Sequence, residues 1–201
     1  MRGRDPGEPP QLDPDAIRLP FLVQDHFVPN GCFGDRDCGG GVIAIDGRGC
    51  TALPTTLQGA CAAYGYQPLA EGEDRFKGYL GILFQDVGPG GESQIGKVPG
   101  RKVEPGAKQV TFWAKVDAGP VDVGFRAGGA NNWEGVTDSS LPYKDDFGVL
   151  HDVTLTSEYQ KLSINLSEVS YETVVSPFGW SIVSQGRVDP IQLFIADVRW
   201  E

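Results

Sequence analysis

The sequence predicts an all-β fold, an antiparallel β-sandwich of the jelly-roll kind, and three observations carry that prediction. From Phe21 onward, short apolar runs alternate with Gly, Pro, Asn and Asp at intervals of roughly ten residues, the spacing of sandwich strands and their turns. No stretch shows the apolar repeat of a sustained amphipathic helix. Glycine and proline, 28 and 15 of 201 residues, stand well above their usual joint share of about 12%.

The elements follow in chain order. Residues 1–20 hold five prolines (Pro6, Pro9, Pro10, Pro14 and Pro20) with mixed charges and almost nothing apolar, and so read as a flexible Pro-rich tether. Residues 21–201 then form a single β-sandwich domain, with a Cys/Gly-rich loop insertion around 32–61. The clearest strands are 79–85, 109–116, 121–127, 149–155, 161–166, 178–183 and 191–200. Val110, Phe112, Ala114 and Val116 alternate with Thr111, Trp113 and Lys115, and Val121, Val123, Phe125 and Ala127 alternate with Asp122, Gly124 and Arg126. Each of these two strands has one apolar face. The short connection Asp117-Ala118-Gly119-Pro120 suggests that they pair as an antiparallel hairpin.

Charge and cysteine usage narrow the function classes. Seventeen Lys and Arg against 27 Asp and Glu leave a formal net charge of −10, which disfavours nucleic acid and anionic membrane surfaces as partners. No apolar run is long enough for a membrane span, and the first residues lack the apolar stretch of a signal peptide. Cys32, Cys38, Cys50 and Cys61 match no paired zinc spacing, and their even number suggests two disulfides, with three connectivities open. An oxidising compartment follows, extracellular or periplasmic, with an export signal removed or the chain cut from a longer precursor.

Catalytic signatures are weak. His26 and His151 stand alone, and neither G-x-S-x-G nor H-E-x-x-H occurs. Gly91 to Lys97 fits G-x-x-x-x-G-K, but Val98 replaces the magnesium-binding hydroxyl and Pro99-Gly100 stand where a helix must begin. Asp145-Asp146 is the densest carboxylate pair and reads as a loop cap rather than an acid and base. Asn165-Leu166-Ser167 is a glycosylation sequon to which no function is assigned.

Aromatic residues give a stronger signal. Trp113 shares a polar strand face with Thr111 and Lys115, where an indole can stack on a sugar ring. Trp133, in the loop Gly128 to Gly135, and Tyr143 lie where no apolar periodicity would bury them. Arg126 projects from the polar face of its strand, and Tyr79 is a fifth ligand-binding candidate. Trp180 and Trp200 alternate with Ile182 and Val198 and are expected in the core.

Val110 to Lys115, Val121 to Gly129, Val153 to Lys161, Phe178-Gly179-Trp180 and Leu193 to Val198 together resemble the galactose-binding-like β-sandwich modules of bacterial secreted proteins, many of them carbohydrate-binding modules attached to glycoside hydrolases. Phe27 to Asp35 and Gly78 to Gln85 look like their early strands. The resemblance implies a noncatalytic jelly roll that binds polysaccharide, secreted or surface-anchored, and tethered to a catalytic or anchoring domain. It also implies a structural calcium ion, for which Asp25 and Asp197 are the candidate ligands. Ala196 departs from the usual Asp-Asp pair there, and the four-cysteine insertion is foreign to the pattern. A surface or adhesion domain binding a protein through the same fold, or an unrecognised glycoside hydrolase, are the alternative readings.

Overall fold

The computed structural model describes residues 13–34, 61–67, 69, 78–117, 119–130, 141–183 and 189–201. Trp133, Cys38 and Cys50 lie outside them, as does most of the expected insertion. Among the described residues twelve strands are formed: β1 (Phe21–Leu22), β2 (Val28–Gly34), β3 (Cys61–Tyr66), β4 (Tyr79–Gln85), β5 (Arg101–Lys102), β6 (Gln109–Val116), β7 (Val121–Gly128), β8 (Gly148–Leu155), β9 (Gln160–Asn165), β10 (Thr173–Val174), β11 (Gly179–Val183) and β12 (Ile191–Trp200). A single 3-10 turn, Val23–Asp25, is the only helical element among the described residues. The Gly91–Lys97 segment opens no helix; Val87 bridges Ser93, and the Lys97 ammonium donates to the Ser93 carbonyl at 3.2 Å.

The strands build two antiparallel five-stranded sheets and a small β5–β10 ribbon. The first sheet runs β1-β12-β6-β9, with β3 also on β12, and the second runs β2-β4-β11-β7-β8. β1 and β3 share one edge of β12, and the bulge between Ala196 and Arg199 separates them. Asp197, at φ 54°, supplies the left-handed residue of that bulge, a conformation that Asp tolerates better than most side chains.

The expected hairpin of residues 109–116 with 121–127 does not form. β6 pairs with β12 and β9, whereas β7 pairs with β8 and β11, so the connection through Gly119 and Pro120 crosses from one sheet to the other. An apolar stripe on each of two consecutive strands is satisfied equally by lying side by side or by facing across a core. Here the second holds, and the Phe112 and Phe125 ring centroids meet at 4.5 Å between the sheets. Phe178 packs on both, at 5.0 and 5.9 Å. Trp180 and Trp200 are fully buried, as the alternation predicts, and the Trp200 indole N–H donates to the Pro177 carbonyl at 3.0 Å.

The last part of the expected tether is docked onto the sandwich. Ile17 is buried against the core, its N–H donates to the Lys102 carbonyl at 2.9 Å, and its own carbonyl accepts from Glu104 N–H at 2.8 Å. Asp13 forms an ion pair with Lys102. One buried isoleucine in a Pro-rich segment is too sparse a pattern to stand out by periodicity.

Candidate functional site

The second sheet turns one face to the core and one outward. On β4, Leu80, Ile82 and Phe84 point inward, leaving Tyr79, Gly81, Leu83 and Gln85 on the outer face. The register of the neighbouring strands extends this alternation into rows. Gly81 lies opposite Phe33 on one side and Ser181 on the other, Ser181 opposite Gly124, and Gly124 opposite Asp152. The next row reads Gly31, Leu83, Gly179, Arg126 and Leu150. Glycine thus supplies much of the floor, and longer side chains from the neighbouring strands lie across it.

The close approaches are specific. A Cβ at Gly81 would stand 2.3 Å from Phe33 Cζ, one at Gly179 would stand 3.2 Å from Arg126 Cγ, and one at Gly124 would stand 2.9 Å from Asp152 Oδ1 and 3.2 Å from Ser181 Oγ. Phe33 is half-buried, with Tyr79 6.2 Å away between centroids and the Arg126 guanidinium carbon 5.3 Å from its ring centre. Burial lowers the Arg126 pKa to about 10, opposed by Tyr79 and Asp152 nearby. Tyr79, Leu150 and Val183 expose 40%, 57% and 50% of their surface on this face, a concentration of apolar area beside polar groups. The arrangement offers a stacking ring, a cation, a carboxylate and a hydroxyl on one surface.

Of the residues expected to bind ligand, Arg126 and Tyr79 belong to this face. Trp113 does not: it stands half-buried on the outer face of the first sheet, opposite Lys161 and Ala196. The expectation that Trp113 and Arg126 share a sheet face fails for the same reason as the hairpin, because their strands belong to different sheets. Two residues along β6, the Lys115 ammonium lies 4.9 and 5.2 Å from the Tyr159 and Phe194 ring centres. Tyr143 is exposed at the loop end beyond Gln85, where its N–H donates to the Gly96 carbonyl at 3.1 Å. Gln85 itself is tied to that end by two hydrogen bonds with the Ser93 hydroxyl, at 2.9 and 3.0 Å.

Phe33, Asp152 and Ser181 escape the sequence reading. Asp152 and Ser181 occupy the polar phase of two recognisable alternations, which would have marked them as outward. Phe33 sits in Gly31-Cys32-Phe33-Gly34, which has no alternation to read.

Asp145 is fully buried and acts as a loop cap. Its carboxylate accepts N–H bonds from Ala130 at 2.9 Å, Val175 at 2.7 Å and Ser176 at 3.2 Å, while its own N–H donates to the Ala130 carbonyl at 3.0 Å. Burial raises its pKa to about 7, and the three amide donors pull the other way.

Asp25 and Asp197 belong to neighbouring elements, as expected, since β1 pairs with the end of β12. Their surroundings do not suit calcium. Asp197 Oδ1 accepts from both Arg199 Nε and Nη2, at 2.8 and 2.7 Å, so a fixed guanidinium already neutralises it. Asp25 is exposed, and among the described residues no three His, Cys, Asp or Glu side chains cluster as metal ligands. Calcium needs six to eight oxygens, and a cation beside one of only two carboxylates repels it.

Among the described residues no cysteine is a free thiol. Cys61 Sγ lies 3.8 Å from the Tyr159 hydroxyl.

No family model matches the chain, and no curated protein matches it. Among solved structures it is similar to the family 30 carbohydrate-binding module of a cellulosomal cellulase of Clostridium thermocellum, at 16% identity over 92% of this chain and 94% of that one, with a TM-score of 0.43. A family 11 module from another cellulosomal cellulase of Clostridium thermocellum is 10% identical over 80% and 94% of the two chains, with a TM-score of 0.37. A family 29 module variant complexed with mannohexaose is 10% identical over 87% and 91%, with a TM-score of 0.37. All three are carbohydrate-binding modules.

Proposed function

We propose that this chain is a noncatalytic carbohydrate-binding domain that holds a polysaccharide or other glycan on the outer face of the second sheet. The observation that carries the reading is the Phe33 ring laid over Gly81, with Tyr79 at 6.2 Å and Arg126 at 5.3 Å. Glycine at that floor position lets an aromatic ring lie along the sheet instead of standing up from it. The C–H face of a sugar stacks on such a ring, while Asp152 and Ser181, converging over Gly124, and Arg126 supply acceptors and donors for its hydroxyls. No bond is made or broken. The domain would work in an extracellular or periplasmic setting, with its cysteines paired, and would be tethered to a catalytic or anchoring domain.

A protein-binding role on the same face is favoured by Leu150 and Val183, exposed by 57% and 50%, which a sugar does not need. A glycan array followed by calorimetric titration separates the two. Saturable binding of a polysaccharide that is lost in Phe33→Ala and kept in Leu150→Ser supports the glycan reading. An array without a binder rejects it in favour of a protein partner.

A further inference from the structure

The second sheet ends at β8, and that edge is open. β8 pairs with β7 alone, and among the described residues no strand lies on its other side. Gly129 N–H donates to the Phe147 carbonyl at 2.8 Å, while Gly128 N–H turns away from β8 to the Ser176 carbonyl at 2.9 Å, which fixes the hydrogen-bonding phase of the two strands. Val149, His151, Val153 and Leu155 therefore turn their backbone groups to β7, and Gly148, Leu150, Asp152 and Thr154 turn theirs to the open side. On that side only the Thr154 carbonyl has a partner among the described residues, the Gln160 side-chain amide at 3.5 Å.

An open strand edge is a template for pairing with another chain, and proteins blunt it with proline, lysine, a bulge or a very short strand. β2, the other edge of the same sheet, carries Pro29 and a register shift between Pro29 and Gly31. β8 has no such device: its eight residues, Gly-Val-Leu-His-Asp-Val-Thr-Leu, hold unbroken register with β7. Its burial is also unfinished. On β7 the core-facing Val123, Phe125 and Ala127 are buried, whereas their partners Val153, His151 and Val149 on β8 are only half-buried. Leu150, on the outer face, leaves 57% of its surface exposed.

We propose that two copies of this chain pair along β8, antiparallel about a two-fold axis at Leu150. The register follows from the backbone phase and the side chains together. With the axis there, Leu150 meets Leu150 of the second copy, and Gly148 meets Asp152 on either side. All of these residues turn their backbone groups outward, so each pair can exchange both of its hydrogen bonds. An axis at Asp152 would set two carboxylates directly opposite one another, which is destabilising, and an axis at Gly148 or His151 would set Leu150 against an aspartate. Pairing of this kind uses the same edge on both copies, so it closes at two. The two five-stranded sheets then join into one. On the reading that their outer faces bind glycan, a long polysaccharide reaches both faces while a short oligosaccharide occupies one.

Sedimentation velocity of the whole chain over a concentration series, with no glycan present, tests the pairing. The mass is expected to rise with concentration and level off at that of a dimer. Leu150→Lys sets two ammonium groups against each other at the axis, and Leu150→Pro removes an outward N–H that the pairing with β7 does not use. Each should raise the dimer Kd about ten-fold or more, with circular dichroism confirming the fold. Val28→Lys, an exposed change on the opposite edge of the sheet, should leave it unaltered. A wild type that stays monomeric up to about millimolar concentration, weaker than the roughly −4 kcal/mol that such a Kd represents, overturns the proposal. So does association that continues past two copies, or an undiminished dimer in folded Leu150→Lys. Glycan binding plays no part in these results, so a failure of the glycan reading leaves them standing and a failure here leaves that reading standing.

Discussion

The ring of Phe33 fills the space that a side chain at Gly81 would need, 2.3 Å from the position of a Cβ there, and the Trp180 carbonyl stands equally close on the other side. Backbone cannot step aside as a ring can. Gly81→Ala is therefore expected to cost about 1–3 kcal/mol of stability, the usual range for overpacking. In a chain of this size each kcal/mol lowers the melting temperature by about 2–4 °C. Calorimetry reads the shift, and a melting temperature equal to that of wild type would mean that the two strands part more readily than their register implies.

Removing a stacking ring should weaken glycan binding by about 1–3 kcal/mol, so Phe33→Ala and Tyr79→Ala are each expected to lose affinity by ten-fold or thereabouts. Trp113→Ala is expected to bind as wild type, because Trp113 faces away from the site on the other sheet. Titration of all three with one array-identified glycan decides the matter; loss of binding in Trp113→Ala alone would move the site across the sandwich.

Asp145 makes stability depend on pH in an unusual sense. Its pKa is raised from 3.8 to about 7 in the folded chain, so folding favours the protonated form. That contribution is fully present below the unfolded value of 3.8 and is lost as pH rises through about 7. Asp145→Asn removes the titration and sets an amide N–H₂ against backbone donors, at a cost of about 1–3 kcal/mol. Urea unfolding between about pH 4 and 8 should show wild type losing stability with rising pH relative to the variant. Parallel curves would place the Asp145 pKa near its ordinary value.

Two disulfides among Cys32, Cys38, Cys50 and Cys61 are expected, and intact-mass analysis after alkylation should find no free thiol in native protein. Reduction should then lower stability by about 2–4 kcal/mol per bridge. Four alkylated cysteines would remove the bridges and the oxidising compartment with them.

Thermal unfolding in millimolar calcium against excess chelator is expected to give one melting temperature, since Arg199 already neutralises Asp197. A rise with calcium that disappears in Asp197→Ala would instead establish an ion at Asp25 and Asp197 and displace the guanidinium.

The strands that the sequence made legible are those with a long alternation. β4, β6 and β12 agree with the sequence reading at both ends, β7, β8 and β11 differ by a residue at one end, and β9 is shifted by one residue at both. β1, β5 and β10 are two residues long, too short for any period, and β3 (Cys-Ala-Ala-Tyr-Gly-Tyr) has small residues where alternation would show. β2 was visible only through its likeness to an early strand of the resembled modules. The candidate site was harder to read than the fold. Arg126 and Tyr79 are marked by their own strands, but the row joining Phe33 to Asp152 depends on pairings between residues up to 100 positions apart, from 81 to 181. Alternation tells which face a residue takes and is silent about which strand lies beside it.

The reciprocal hydrogen bonds between Ala130 and Asp145, 2.9 and 3.0 Å, fix both ends of the chain segment they enclose to the same point on the sandwich. Closing a loop at a preset base makes its length a minor energetic variable, since each doubling adds only about 0.6 kcal/mol. A change in the number of residues between Ala130 and Asp145 is thus expected to leave the two sheets in register.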